Sequence, residues 1–124
     1  MRKAVMTGAA GLCLAGAALV MAGETAIPKA YVVGEIAVTN PDGYAQYVAK
    51  VGPVIAACGG RYLVRGGASE AREGEAAAGR MVVIEFASLA AARACLDGPE
   101  YKAVAHLRHA NARSRILLVE GVAP

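Results

Sequence analysis

The chain has 124 residues, with 13 Lys and Arg against 10 Asp and Glu and a formal charge of +3, which is the length of one domain with room for one core. At 56% hydrophobic and 19% charged residues it is not a disordered chain, and three cysteines are too few for a disulfide scaffold or a four-thiolate zinc site. With no Trp and one Phe it offers no aromatic platform for nucleic acid.

Met1-Arg2-Lys3 is a short positive head, Ala4 to Met21 carries no charge, and Val20-Met21-Ala22 places small or modest side chains before Gly23. This is the three-part plan of a secretory signal peptide, expected over residues 1–22, and it directs the protein to the periplasm or the medium. The apolar run approaches the ~20 residues of a spanning helix. Retention as an N-terminal anchor is therefore the alternative, and membrane contact is expected only in that case. Removal of Arg2 and Lys3 with the signal leaves eleven bases against all ten acids, a charge near +1. The signs are interspersed, so no nucleic-acid partner is expected.

Residues 23–29 read as a lead-in, 30–121 as the folded domain and 122–124 as a tail. Ala30 to Val38 is a strand candidate, apolar except at Gly34 and Glu35. Asn40-Pro41-Asp42 starts a helix: Asn40 can cap, Pro41 suits the first turn and Asp42 complements the dipole. Tyr44, Tyr47, Val48, Val51, Val54, Ile55 and Cys58 then recur at helical spacing. Gly52-Pro53 predicts a kink or break, and Gly59-Gly60 stops the helix. Arg61 to Arg65 is a short strand, Ala68 to Gly79 an exposed excursion, and Arg80 to Phe86 the clearest strand. Ser88 caps a second helix, which Asp97-Gly98-Pro99 interrupts before it resumes to about Arg108. Arg113 to Val119 is the last strand.

The order βαββαβ predicts a ferredoxin-like α+β fold, a four-stranded antiparallel sheet with order 4-1-3-2 and two helices on one face. Alternation puts Val82, Ile84 and Phe86 under the helices. Met81, Val83 and Glu85, with Tyr31, Val33 and Leu63, fall on the open face. An apolar patch there marks an interface, and a homodimer pairing two such faces is the economical partner.

Several motifs carry a family resemblance: Asp42-Gly43-Tyr44 with Tyr47; the glycine-flanked strand from Gly59 to Gly67; Val82 to Phe86; Pro99-Glu100-Tyr101; Arg108; and Val119-Glu120-Gly121. From about Ala30 to Gly121 the chain resembles the family catalogued as domain of unknown function 1330, within the dimeric α/β-barrel superfamily. The resemblance implies a dimeric α/β barrel. By superfamily analogy it also implies a cofactor-independent monooxygenase or isomerase of small organic substrates. Cys95 stands where the family often has Trp, which implies a smaller or reshaped pocket, and a secretion signal is not the family's rule.

Glu35, Arg61, Arg65 and Glu85 are charged residues inside apolar strands. By alternation Arg61 and Arg65 share a face with Leu63. This group is either a structural ion-pair network or a site for a small anionic or aromatic ligand, since Arg binds carboxylates in bidentate fashion. Arg108 matches the family's arginine and ranks above His106 and His109, whose three-residue spacing alone is a weak metal signal. Tyr44, Tyr47 and Tyr101 suit packing, with Tyr44 also a ligand candidate. Cys58 and Cys95 sit on apolar stripes, and their offset places them too far apart for a bridge. No metal or cofactor is indicated. The primary expectation is an exported homodimeric small-molecule binder. The alternatives are a cofactor-independent enzyme or a purely structural dimer module.

Overall fold

The computed structural model describes residues 26–124; the expected signal or anchor, 1–22, lies outside them. The elements follow the expected order, with the second helix in two pieces: β1 (Ala30–Val38), α1 (Pro41–Ala57), β2 (Arg61–Arg65), β3 (Arg80–Phe86), α2 (Leu89–Asp97), α3 (Pro99–Asn111) and β4 (Ala112–Glu120).

The strands form one four-stranded sheet in the order β2-β3-β1-β4, and every pair is antiparallel. This is the ferredoxin-like arrangement. The barrel implied by the family resemblance is absent: β2 and β4 are two free edges on opposite sides of the sheet. Four strands are too few to curl onto themselves, since even small barrels use about eight. The fold is therefore an open sheet, and the dimeric α/β-barrel description is corrected to that extent.

Ala30, Val32, Ile36, Val82, Ile84 and Phe86 are buried under the helices, as the alternation in β1 and β3 predicts. Tyr44, Tyr47, Val51 and Ile55 complete the core from α1. Phe86, Ile55 and Val51 are almost wholly buried, and each such side chain contributes about 1.5–3 kcal/mol. Leu63, Val64, Leu117 and Val119 stay exposed. No helix among the described residues is long and apolar enough to cross a membrane.

Three local expectations change. The helix α1 runs unbroken through Gly52-Pro53, because its buried stripe continues on both sides of the proline. Asn40 occupies the cap position, but its side chain makes no cap bond. Its Nδ2 instead donates to Asn111 Oδ1 at 3.0 Å. The backbone N–H groups of Thr39 and Asn40 both donate to the Asn111 carbonyl. The start of α1 is thus tied to the end of α3, and a side chain at Gly43 would collide with Asn111. Finally, Cys58 and Cys95 form a disulfide with Cα atoms 5.6 Å apart. The break at Gly98 explains it. The antiparallel neighbour of α1 is α3, not one long second helix, so Cys95 lies just before α3 begins, opposite the end of α1. Closing that 37-residue separation stabilises the fold by about 4 kcal/mol on the loop-entropy account. Ser88 caps α2 as expected, accepting from the Ala91 N–H at 3.0 Å.

Candidate functional site

The edge strand β2 decides where the charged residues go. Arg61 pairs with Glu85 and Tyr62 with Ile84, but Val64 pairs with Val83 and Arg65 with Val82. A bulge at Leu63 absorbs one residue. Arg61 therefore lies on the open face with Glu85, while Arg65 lies on the helix face with Val82. The shared face expected for Arg61 and Arg65 does not exist.

The four charged strand residues are consequently not one constellation. On the open face Arg61 Nη2 meets Glu85 Oε1 at 3.0 Å and Lys29 Nζ meets it at 3.4 Å. The hydroxyl of Tyr31 donates to Glu85 Oε2 at 3.4 Å. Glu85 is held below the usual carboxylate range, first by the Arg61 hydrogen bond and, against partial desolvation, by Lys29. Glu35 pairs instead with Arg115, at 3.7 Å. It sits opposite Met81 on β3, four residues from Glu85, or about 13 Å along the strand.

The helix face is chemically different. A cavity of about 30 Å3, room for one or two waters, lies between sheet and helices. Its polar lining consists of Tyr47, Tyr62, Tyr101, Arg65 and Arg80, and no acidic side chain lines it. Gly34 helps make the space: a Cβ there would stand 3.1 Å from Ile116 Cδ1 and 3.7 Å from Val82 Cβ. Arg80 lies 5.5 Å from the Tyr44 ring, and Tyr44 packs on Tyr47 with ring centres 5.4 Å apart. Tyr44 is thus core, touching the cavity only through its neighbours.

Behind the cavity Arg108 is 4% exposed. Its Nη1 donates to the hydroxyls of Tyr47 at 3.1 Å and Tyr101 at 2.9 Å. Its Nε donates to Ser114 Oγ at 3.0 Å, and Nη2 lies 3.3 Å from His109 Nε2. All these partners are neutral acceptors. Burial pulls the guanidinium pKa down, but the phenols of Tyr101 and Tyr47 outweigh it and hold it above its ordinary value. Burial, with Tyr101 adding to it against the pull of Arg108, keeps Tyr47 a phenol far into the alkaline range. Tyr47 therefore offers a proton and is no base at neutral pH.

Among the described residues none of Arg65, Arg80 and Arg108 has a carboxylate within salt-bridge distance. Two of these guanidinium groups line the cavity and the third stands behind it, so its surroundings are electropositive. His106 and His109 stack edge to face at 6.0 Å, and no group of three or more metal-ligating side chains exists among the described residues. Sequence reasoning placed Arg65 and Arg108 among the candidates but left out Arg80, Tyr62 and Gly34. The available signal was the alternation in β1 and β3: Gly34 and Val82 share the buried face, which leaves a gap where a side chain is missing.

Known proteins place this geometry in a context. The fold resembles the crystal structure of RPA0582, a protein of unknown function from Rhodopseudomonas palustris, at 20% identity over 86% of this chain and 92% of that one, with a TM-score of 0.64. The methylated form of RPA0582 gives 21% identity, 86% and 90% coverage and a TM-score of 0.60. SnoaB, a cofactor-independent oxygenase from Streptomyces nogalater, gives 17% identity, 78% and 96% coverage and a TM-score of 0.55. At these identities the likeness concerns the fold alone. No curated protein matches the chain. The family model for Domain of unknown function (DUF1330) matches residues 29–122, and the chain belongs to that family.

Proposed function

We propose that the protein is an enzyme that works without a bound cofactor on a small organic substrate held as its anion between sheet and helices. The observation that carries this is the charge imbalance of the cavity. Arg65 and Arg80 line it, Arg108 stands behind it, and no acid among the described residues balances them. Cations beside an apolar, water-poor space favour the ionised form of a carbon acid or phenol.

An enolate serves both reaction types of the alternative reading. Return of a proton at another carbon is an isomerisation. With dioxygen an acidic CH2 becomes C=O, one oxygen atom staying on carbon and the other leaving as water with both hydrogens. The fold likeness to SnoaB, described as a cofactor-independent oxygenase, supports this direction. The cavity lining contains no carboxylate or imidazole, and Tyr47 stays protonated. The substrate therefore arrives ionised, or loses its proton to water at the mouth, which selects acids that ionise near neutral pH.

The test is a panel of small 1,3-dicarbonyl acids and phenols. Deuterium uptake at the acidic carbon is followed by NMR and oxygen uptake by electrode. Turnover above the buffer rate is expected for at least one compound, and Arg80→Met should lower kcat/KM by about a hundredfold, the size of losing one preorganised electrostatic group. Absence of both signals across the panel overturns the reading. Binding without turnover would return the protein to a non-catalytic binder that uses the same cations.

A further inference from the structure

The cavity in its present form is too small for any substrate larger than water, yet one of its walls is an exposed side chain. That side chain is Arg65. Its guanidinium lies 4.2 Å above the centre of the Tyr62 ring. Its Nη2 donates to the Val48 carbonyl of α1 at 3.0 Å. It thus spans from the edge strand β2 to α1, across the opening between them.

Two features of the sequence set this span up. The bulge at Leu63 turns Arg65 toward the helices, and the guanidinium passes α1 beside Gly52, where a Cβ would make only ordinary contact, 3.6 Å from Nη1. The strand β2 is a five-residue edge with most of its residues exposed, so little packing opposes movement of the side chain. Among the described residues the only polar partner of Arg65 is a neutral carbonyl, at an exposed position. A carboxylate is a much better partner for a guanidinium, because it accepts two parallel charge-assisted bonds.

We propose that Arg65 is the latch and the specificity determinant of the cavity. It closes the mouth by stacking on Tyr62 and bonding to Val48, and it opens when the carboxylate of a planar organic acid replaces the Val48 carbonyl. The substrate class is then a small aromatic or conjugated carboxylate, and a neutral isostere meets a closed mouth. This rests on the cavity being the site proposed above.

Benzoate and benzamide are the probes, because they share shape and differ in charge. The chain has five Tyr and no Trp, and Tyr47, Tyr62 and Tyr101 line the cavity, so tyrosine fluorescence carries a signal from its wall. The wild-type protein should bind benzoate at least about tenfold more tightly than benzamide, the worth of one charge-assisted hydrogen bond. Arg65→Gln should cut the preference several-fold, the remainder coming from Arg80 and Arg108, and Arg65→Lys, which keeps the charge but not the planar fork, should keep more of it. Independently of any ligand, Arg65→Ala should raise acrylamide quenching of the tyrosine emission, because the Tyr62 ring loses the aliphatic stem and guanidinium that cover it. Equal affinities for the two probes, no binding of either, a preference undiminished in Arg65→Gln, or unchanged quenching in Arg65→Ala each overturns the latch. Failure of the enzyme reading looks different. There the benzoate preference persists and depends on Arg65, while no compound of the panel turns over.

Discussion

The two faces of the sheet handle charge in opposite ways. On the open face the two half-buried carboxylates have counterions: Arg61 and Lys29 meet Glu85, and Arg115 meets Glu35. Those cations are largely exposed, so each pair is worth little and is weakened by salt. On the helix face Arg108 is buried among phenols and Arg80 and Arg65 line a cavity, with no acid among the described residues to meet them. Paired charges at a wet surface need no further explanation. An unpaired cation in a packed layer, as Arg108 is, costs desolvation that its neutral partners offset only in part, and the anion of the function proposed above would complete it.

The largest effect should come from Arg108. Arg108→Met removes the cation but leaves the hydroxyls of Tyr47, Tyr101 and Ser114 without their donor. Leaving such groups unsatisfied costs about 3 kcal/mol in total, which lowers Tm by roughly 15 °C for a domain of this size. Urea and thermal denaturation would measure it. A gain in stability would show that the desolvation of the guanidinium outweighs its hydrogen bonds. The contrast between the faces would then be sharper still.

The contrast also separates what the amino acids disclose from what they do not. The strand order and the buried positions of β1 and β3 follow from simple alternation, because those strands are regular and half-buried. The split of Arg61 from Arg65 does not. Arg-Tyr-Leu-Val-Arg contains no Gly or Pro to mark the bulge, and one extra residue reverses every later side chain. The Cys58–Cys95 pairing was hidden for a related reason. Gly98-Pro99 was legible as an interruption, but its consequence, that α3 alone lies along α1, depends on how the pieces pack. Tyr47 and Tyr101 were legible as buried stripe residues. Their second role, holding Arg108, needs two helices brought together. The expectation of a barrel came with the family resemblance and not from the residues, and the two free edges of the sheet correct it.

The next effect concerns the open face. We propose that it seats a second copy of this chain. Leu117 and Val119 are 51% and 50% exposed, beside Val33 and Val83. The face carries both signs, so a two-fold copy can set acid against base. Leu117→Asp should convert a dimer to a monomer in analytical ultracentrifugation, because a buried unpaired carboxylate at the interface centre costs several kcal/mol. The Arg108 network, on the other side of the sheet, should be unaffected. A wild-type monomer at tens of micromolar would remove the second copy.

The smallest effects are in pH, and the two faces have separate windows. On the helix side burial first, then the Arg108 cation and His106, hold His109 below its ordinary value. A base with a lowered pKa favours the unfolded chain once that chain takes up its proton. Its contribution is thus complete above about pH 6.5 and declines below it. On the open face Glu85 is an acid with a lowered pKa, chiefly through Arg61. Its contribution is present above about pH 4.3 and is lost as the pH falls through the folded value. Denaturation midpoints between pH 3 and 8 should therefore fall in two steps. His109→Gln should remove the upper step alone, and Glu85→Gln the lower alone. If Glu85→Gln flattened both, the two faces would be titrating as one system, and their charges could not be treated as independent.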